Sequence, residues 1–168
     1  MKDILVDTNI VIRGASSQKF FEKFLNYCNL KGLTIAICDA VKFEFLRGAN
    51  RKSTKEEIEK ALNIFRTEDF SMPISKDIYL DAITLSQLYT HKGIPLKQIS
   101  FLDCVIGATL KKYENKLLLA TMDLNDFPLS IFDRVDIFTF DDGEVSVVGI
   151  YKFNCEKFEK VLANFNKS

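Results

Sequence analysis

Apolar residues follow two rhythms along this chain. Short unbroken runs mark strands: Ile4–Val6, Leu33–Cys38 and Leu117–Thr121. Two later runs, Val135–Phe140 and Val145–Tyr151, are rich in β-branched and aromatic residues and read the same way. Between these runs the spacing changes to three and four. Ser16–Leu30 places Phe20, Phe21, Phe24, Leu25 and Cys28 on one helical face, and Gly32 closes it. Ala40–Gly48 follows Asp39 as a plausible N-cap. Thr54-Lys55-Glu56-Glu57 forms a capping box before Ile58, Ala61, Leu62 and Phe65. Ser75 opens a helix with Ile78, Ala82, Leu85, Leu88 and Tyr89 on one face and Gly93 beyond its end. Ser100 opens another that reaches about Tyr113, and a short one covers Glu156–Asn164. Early strands alternate with helices, which favours right-handed crossovers and a mainly parallel central sheet covered on both faces. The all-apolar Leu117-Leu118-Leu119-Ala120 suits a strand buried on both sides.

With 168 residues and 47% apolar content, the chain makes one domain with a full core, and it shows no repeats or linkers. No apolar run reaches the roughly 20 residues of a membrane helix. Met1-Lys2-Asp3 leads directly into a strand without a signal-peptide layout, so the expectation is a soluble, cytoplasmic protein. Cys28, Cys38, Cys104 and Cys155 form no C-x-x-C pair and lie in apolar contexts, which predicts free buried thiols. A single histidine, His91, sits near a helix end; triad chemistry and histidine-rich metal sites are disfavoured. Charge is balanced at 23 basic and 23 acidic residues, so composition gives no nucleic-acid signature.

The carboxylates change that picture. Ligands of parallel sheets bind beyond the carboxyl ends of the strands. Asp7 follows the first strand within ILVDTNIVI, where Thr8 and Asn9 turn the chain into a helix starting at Ile10. Asp123 and Asp126 follow Leu117–Thr121, and Glu44 lies six residues after Cys38. Asp103 fits a capping box with Ser100, yet it shares its side of the helix with Ile106 and Leu110. Glu44 has apolar neighbours almost all round its helix, and the blander reading is an ion pair with Lys42 or Arg47. For Asp7, Asp123 and Asp126 the blander reading is a cap or polar turn. Converging carboxylates repel one another, and their burial is costly without a partner. Oxygen donors suit a hard cation, Mg2+ or Mn2+, and such a site suits phosphodiester hydrolysis.

Four blocks in order, ILVDTNIVI, ICDAVKFEFLRG, ISFLDCVIGATL and LLLATMDLNDFP, resemble the PIN-domain nucleases, closest to VapC-type toxin ribonucleases. The blocks span Ile4 to Pro128. The resemblance implies a three-layer α/β/α sandwich and Mg2+- or Mn2+-dependent cleavage of single-stranded RNA. It implies Asp7, Glu44, Asp103 and Asp123 as catalytic, metal-holding acids, and Asp126 as a further, water-mediated ligand. Asn9 and Thr121 would orient ligands and waters. It also implies an antitoxin protein as partner and a homodimer as an assembly. Arg13, Arg47, Arg51 and Lys52 are the candidates for RNA-phosphate contact, with Lys92 and Lys97 further away. The segment from about residue 141 exceeds the compact toxins and has no assigned role. Three alternatives stand beside this reading. The first is a non-toxin RNA-processing nuclease of the same family. The second is a haloacid-dehalogenase-like phosphatase, which would need an Asp where Asn9 stands. The third is a catalytically silent RNA- or partner-binding module.

Overall fold

The computed structural model describes residues 2–48, 71–95, 98–141, 143 and 145–167. The capping box at 54–57 and its helix lie outside the described residues. Strand β1 (Lys2–Val6) leads into helices α1 (Thr8–Ser16) and α2 (Gln18–Leu30), then β2 (Leu33–Cys38) and α3 (Asp39–Gly48). The short β3 (Ser71–Met72), α4 (Lys76–His91) and α5 (Phe101–Tyr113) follow. A 3-10 turn at Glu114–Lys116 precedes β4 (Leu117–Thr121), β5 (Phe132–Asp141), β6 (Val145–Phe153) and α6 (Cys155–Phe165).

The sheet runs β3-β2-β1-β4-β6-β5. Strands β3, β2, β1 and β4 are mutually parallel, with Ile4 opposite Ile35 and Leu118. β6 runs antiparallel to both β4 and β5. The chain beyond Asp141 is therefore no loose tail. It supplies an interior strand whose Val148, Ile150, Tyr151 and Phe153 are buried.

Burial on both faces explains the unbroken apolar runs of β1 and β4: Ile4, Leu5, Val6, Leu119 and Ala120 are fully buried. β5 is more complex. A register shift between Arg134 and Asp136 inserts one residue, which reverses the alternation of side chains. Phe138 and Phe140 consequently meet Phe20 of α2. Phe132, on the other side of the shift, meets Phe127 and Phe153 instead. On that side α4 approaches α5 closely: a Cβ on Gly107 would stand 3.1 Å from Leu85 Cδ1 and 3.2 Å from Phe132 Cζ. Helices thus cover the sheet on both faces in an α/β/α arrangement.

Several boundaries differ from the sequence reading. The helix predicted from Ser16 begins at Gln18, because Ser17 is extended and its hydroxyl accepts from Phe20 N at 3.2 Å. The first helix begins at Thr8 rather than Ile10, capped by Asp7 itself. β5 starts three residues before Val135, where the bulge had broken its alternation. β3 has two residues, too few to carry a period. Cys155 is exposed, against the expectation of a buried thiol; its Sγ–H meets Glu114, whose charge and hydrogen bond push the thiol up to about 11. Among the described residues, no helix is long and apolar enough to cross a membrane.

Candidate functional site

Parallel pairing of β2, β1 and β4 aligns their carboxyl ends on one edge, and the acids gather there. Asp7 caps α1 and is 5% exposed. Its backbone N–H extends the β1–β4 ladder by donating to Ala120 O at 3.0 Å. Its carboxylate is held at both oxygens. Oδ1 accepts from Thr8 N at 2.7 Å, and Oδ2 accepts from Thr121 Oγ1 at 2.6 Å and Asn9 Nδ2 at 2.9 Å.

The two loops lock together through the same groups. Asn9 Nδ2 also donates to Thr121 Oγ1 at 3.1 Å, while Asn9 Oδ1 accepts from Met122 N at 3.0 Å. Thr121 Oγ1, fully buried, accepts from Asp123 N at 3.0 Å. Asn9 and Thr121 therefore tie the loop after β1 to the loop after β4. The geometry of Asp7 and Asp123 depends on one shared hydroxyl.

Glu44 stands in the second turn of α3. Thr8 Oγ1 donates to its Oε2 at 2.6 Å, and Arg47 Nη2 lies 4.0 Å from its Oε1. Lys42 turns to Asp39 instead, at 3.6 Å. The surroundings of this helix correct the sequence argument, since Phe43 and Leu46 are about half exposed and α3 is not buried all round. What fixes Glu44 toward the site is Thr8, a residue the sequence reading treated only as part of a turn. A hydroxyl one residue after the capping acid was the available signal.

Asp103 begins α5, whose N-cap Ser100 makes no side-chain cap bond to the backbone. The Ser100 hydroxyl instead bonds the Asp103 carboxylate. That bond partly offsets the burial and the negative fields of Asp126, Asp7 and Glu44, which together raise Asp103 to about 7. Asp126 is pushed up to about 6 by burial, by the neighbouring charge of Asp123, and by a hydrogen bond between those two carboxyl groups. Asp7 is also raised, chiefly by burial, with Glu44 adding repulsion against the stabilising bonds from Thr121 and Thr8.

A groove of about 420 Å3 unites these groups: Asp7, Glu44, Asp103, Asp123 and Asp126 all line it, together with Asn9 and Ser100. Arg47 and Ile12 form part of its wall. Asp126 lines the groove with the other four acids. Of the other candidate cations, Arg13 turns away; its Nε donates to Ser146 Oγ at 3.2 Å and its guanidinium lies over Phe20. Lys92 caps the far end of α4. Arg51, Lys52 and Lys97 lie outside the described residues.

The donor set consists of hard oxygens under mutual repulsion, with Arg47 as the cation among the groove's lining residues. Among the described residues, no group of three or more His, Cys, Asp or Glu side chains is already drawn together tightly enough to hold a metal ion. Oxygen donors of this kind suit a hard cation such as Mg2+ or Mn2+, which keeps positions for water and phosphate. The carboxylates fit such an ion.

The comparisons with known proteins agree on the fold. No curated protein matches the chain significantly. Among solved structures, a chain in VapBC2 from Rickettsia felis, bound to a DNA fragment from its promoter, is similar. Its sequence identity is 22% and its TM-score 0.50, over 63% of this chain and 77% of that one. The PIN domain profile matches residues 4–142, from the first buried residue of β1 to the end of β5. The chain belongs to the PIN domain family.

Proposed function

We propose that this protein is a Mg2+- or Mn2+-dependent endoribonuclease that hydrolyses single-stranded RNA in the acid groove, and that it is the toxin of a type II toxin–antitoxin pair. The observation that carries the reading is the convergence of five carboxyl groups on one groove, three of them raised by burial and by one another. Folding tolerates such repulsion where a ligand relieves it. Asp7, Asp103, Asp123 and Glu44 would hold the ion, with Asp126 beside them. A divalent cation bound there would neutralise the acids and act as a Lewis acid toward a phosphodiester. The chain's own contribution is placement. Thr121 and Asn9 fix Asp7, Thr8 fixes Glu44, and Ser100 restrains Asp103. Arg47, on the wall of the groove, would meet a phosphate.

The likeness to a VapBC component supports the toxin assignment, with an antitoxin as partner. A homodimer is proposed on the same resemblance. The test is cleavage of a single-stranded RNA by purified protein with and without Mn2+. Activity that requires metal and disappears in Asp7→Asn is the expected result. No cleavage with either Mg2+ or Mn2+, under conditions where the protein is folded, would refute the nuclease reading. Growth unaffected by overexpression would count against the toxin.

A further inference from the structure

A second cavity, of about 220 Å3, adjoins the acid groove. Ser100, Asp103 and Asp126 line both. Its remaining wall differs in kind from the groove. Ile94, Ile99 and Tyr89 give it apolar surface, while Gln98 and Asn125 contribute amides. Tyr89 is 3% exposed, and its hydroxyl has no hydrogen-bond partner among the described residues. That hydroxyl is sealed off near Gly107 of α5, so Tyr89 is not a polar partner for anything in the cavity.

The chemistry of this wall selects a ligand class. Two carboxylates and no lysine or arginine among the lining residues exclude a phosphate. Apolar walls with scattered amides suit an uncharged, flat group that both donates and accepts hydrogen bonds. The volume is several times the roughly 30 Å3 that water occupies in the liquid. It is smaller than the roughly 300 Å3 at which sites for drug-sized ligands begin. A single nucleobase meets all three conditions. A phosphodiester lying in the groove carries its base within reach, because base and phosphate are neighbours on one nucleotide. Unstacked bases of single strands are read in such pockets, by stacking and by their edges.

We propose that this cavity is a nucleobase subsite, which receives the base next to the phosphodiester held in the groove and gives the enzyme its sequence preference. The inference rests on the nuclease reading above and deepens it. Tyr89 and Ile99 form the apolar bed, and Gln98 and Asn125 read the edge of the base.

The test uses the full chain with Mn2+ and fluorescein-labelled RNA 12-mers in which one nucleotide at a time is abasic. Losing the base at one position beside the cut should lower kcat/KM about tenfold, the order of one stacked base. In a Gln98→Ala/Ile99→Ala variant of unchanged Tm, that penalty should shrink below about threefold, since the variant already lacks the contacts. Asn125→Ala removes an amide from the wall and should change which base is preferred there. A flat abasic profile in the wild type, or a penalty of the same size in the double variant, overturns the subsite. If the wild type cuts no RNA, the nuclease reading fails first, and fluorescence anisotropy with the same RNAs decides the cavity separately. Binding that weakens at one abasic position sustains the subsite; equal binding of all, or none, overturns it.

Discussion

Replacing Asp103 with Asn separates two explanations of why an acid begins α5. If Asp103 serves as a helix cap, its removal destabilises the protein at every pH above the ordinary carboxylate range. If it belongs to a repelling cluster, its removal relieves the metal-free protein. The sign follows from linkage. Asp103 stands at about 7 in the folded protein against the usual 3.8, so the folded state holds its proton more tightly than the unfolded chain does. Its contribution is fully favourable below about pH 4 and is lost as pH rises to about 7. The full gap corresponds to roughly 4 kcal/mol at 1.36 kcal/mol per tenfold in proton affinity. Asp103 is open to the groove on one side, and solvent screening reduces this to about 1–2 kcal/mol. Urea denaturation in EDTA should therefore find Asp103→Asn more stable than wild type by about that amount at pH 8, with the difference shrinking as pH falls and vanishing only below about pH 4. Added Mn2+ should raise the Tm of wild type and leave the variant close to its metal-free value. A variant less stable than wild type by the same margin across that range would refute the cluster and return Asp103 to capping.

Three further outcomes follow from the same geometry. Thr121→Val removes the donor that meets Asp7 at 2.6 Å and the acceptor shared by Asn9 and Asp123 N; stability should fall by about 1–3 kcal/mol in urea unfolding, and Mn2+ affinity by about tenfold in calorimetric titration. Gly149→Ala on β6 would bring a Cβ to 2.5 Å from Tyr151 Cε2 and 2.9 Å from Leu124 Cδ2, and thermal unfolding should register a loss of about 1–3 kcal/mol. Truncation after Asp141 removes the strand between β4 and β5, so circular dichroism should find the shortened chain unfolded; a cooperative melt near that of the full chain would show that β6 is dispensable.

How far the site could be read in advance depended on how locally each residue's role is set. Asp7 was legible because three apolar residues before it and three after it bracket a strand end, and the rule for parallel sheets says what lies beyond such an end. The same rule placed Asp123 beyond β4. The alignment of β1 with β4 turned both statements into one location. Asp126 was given an outer, water-mediated position on the family resemblance, where it matches the Asp of an Asp-Phe pair. The loop's fold brings its carboxyl group against that of Asp123, a contact that no spacing encodes. Glu44 was reached by a premise the structure corrects: α3 exposes Phe43 and Leu46, and the bond from Thr8, 36 residues away, directs the acid instead.

The C-terminal region makes the same point for the fold. β5 and β6 were both visible as β-branched runs, yet their order was not. A hairpin added after β4 would by proximity place β5 beside it. The sheet instead places β6 there, antiparallel to both neighbours, and leaves β5 at the edge. Burial explains the choice. β6 carries Val148, Ile150, Tyr151 and Phe153, all buried, whereas β5 alternates and exposes Val135 and Ile137 by nearly half. The more apolar strand takes the interior position, and the amphipathic one tolerates the edge. Tyr151 then reaches the loop beyond β4, where its hydroxyl donates to Leu124 O at 3.2 Å. The strand that lies beyond the family match at residue 142 thus braces the loop that carries Asp123 and Asp126. Its role in the site is to hold that loop in place from the interior of the sheet.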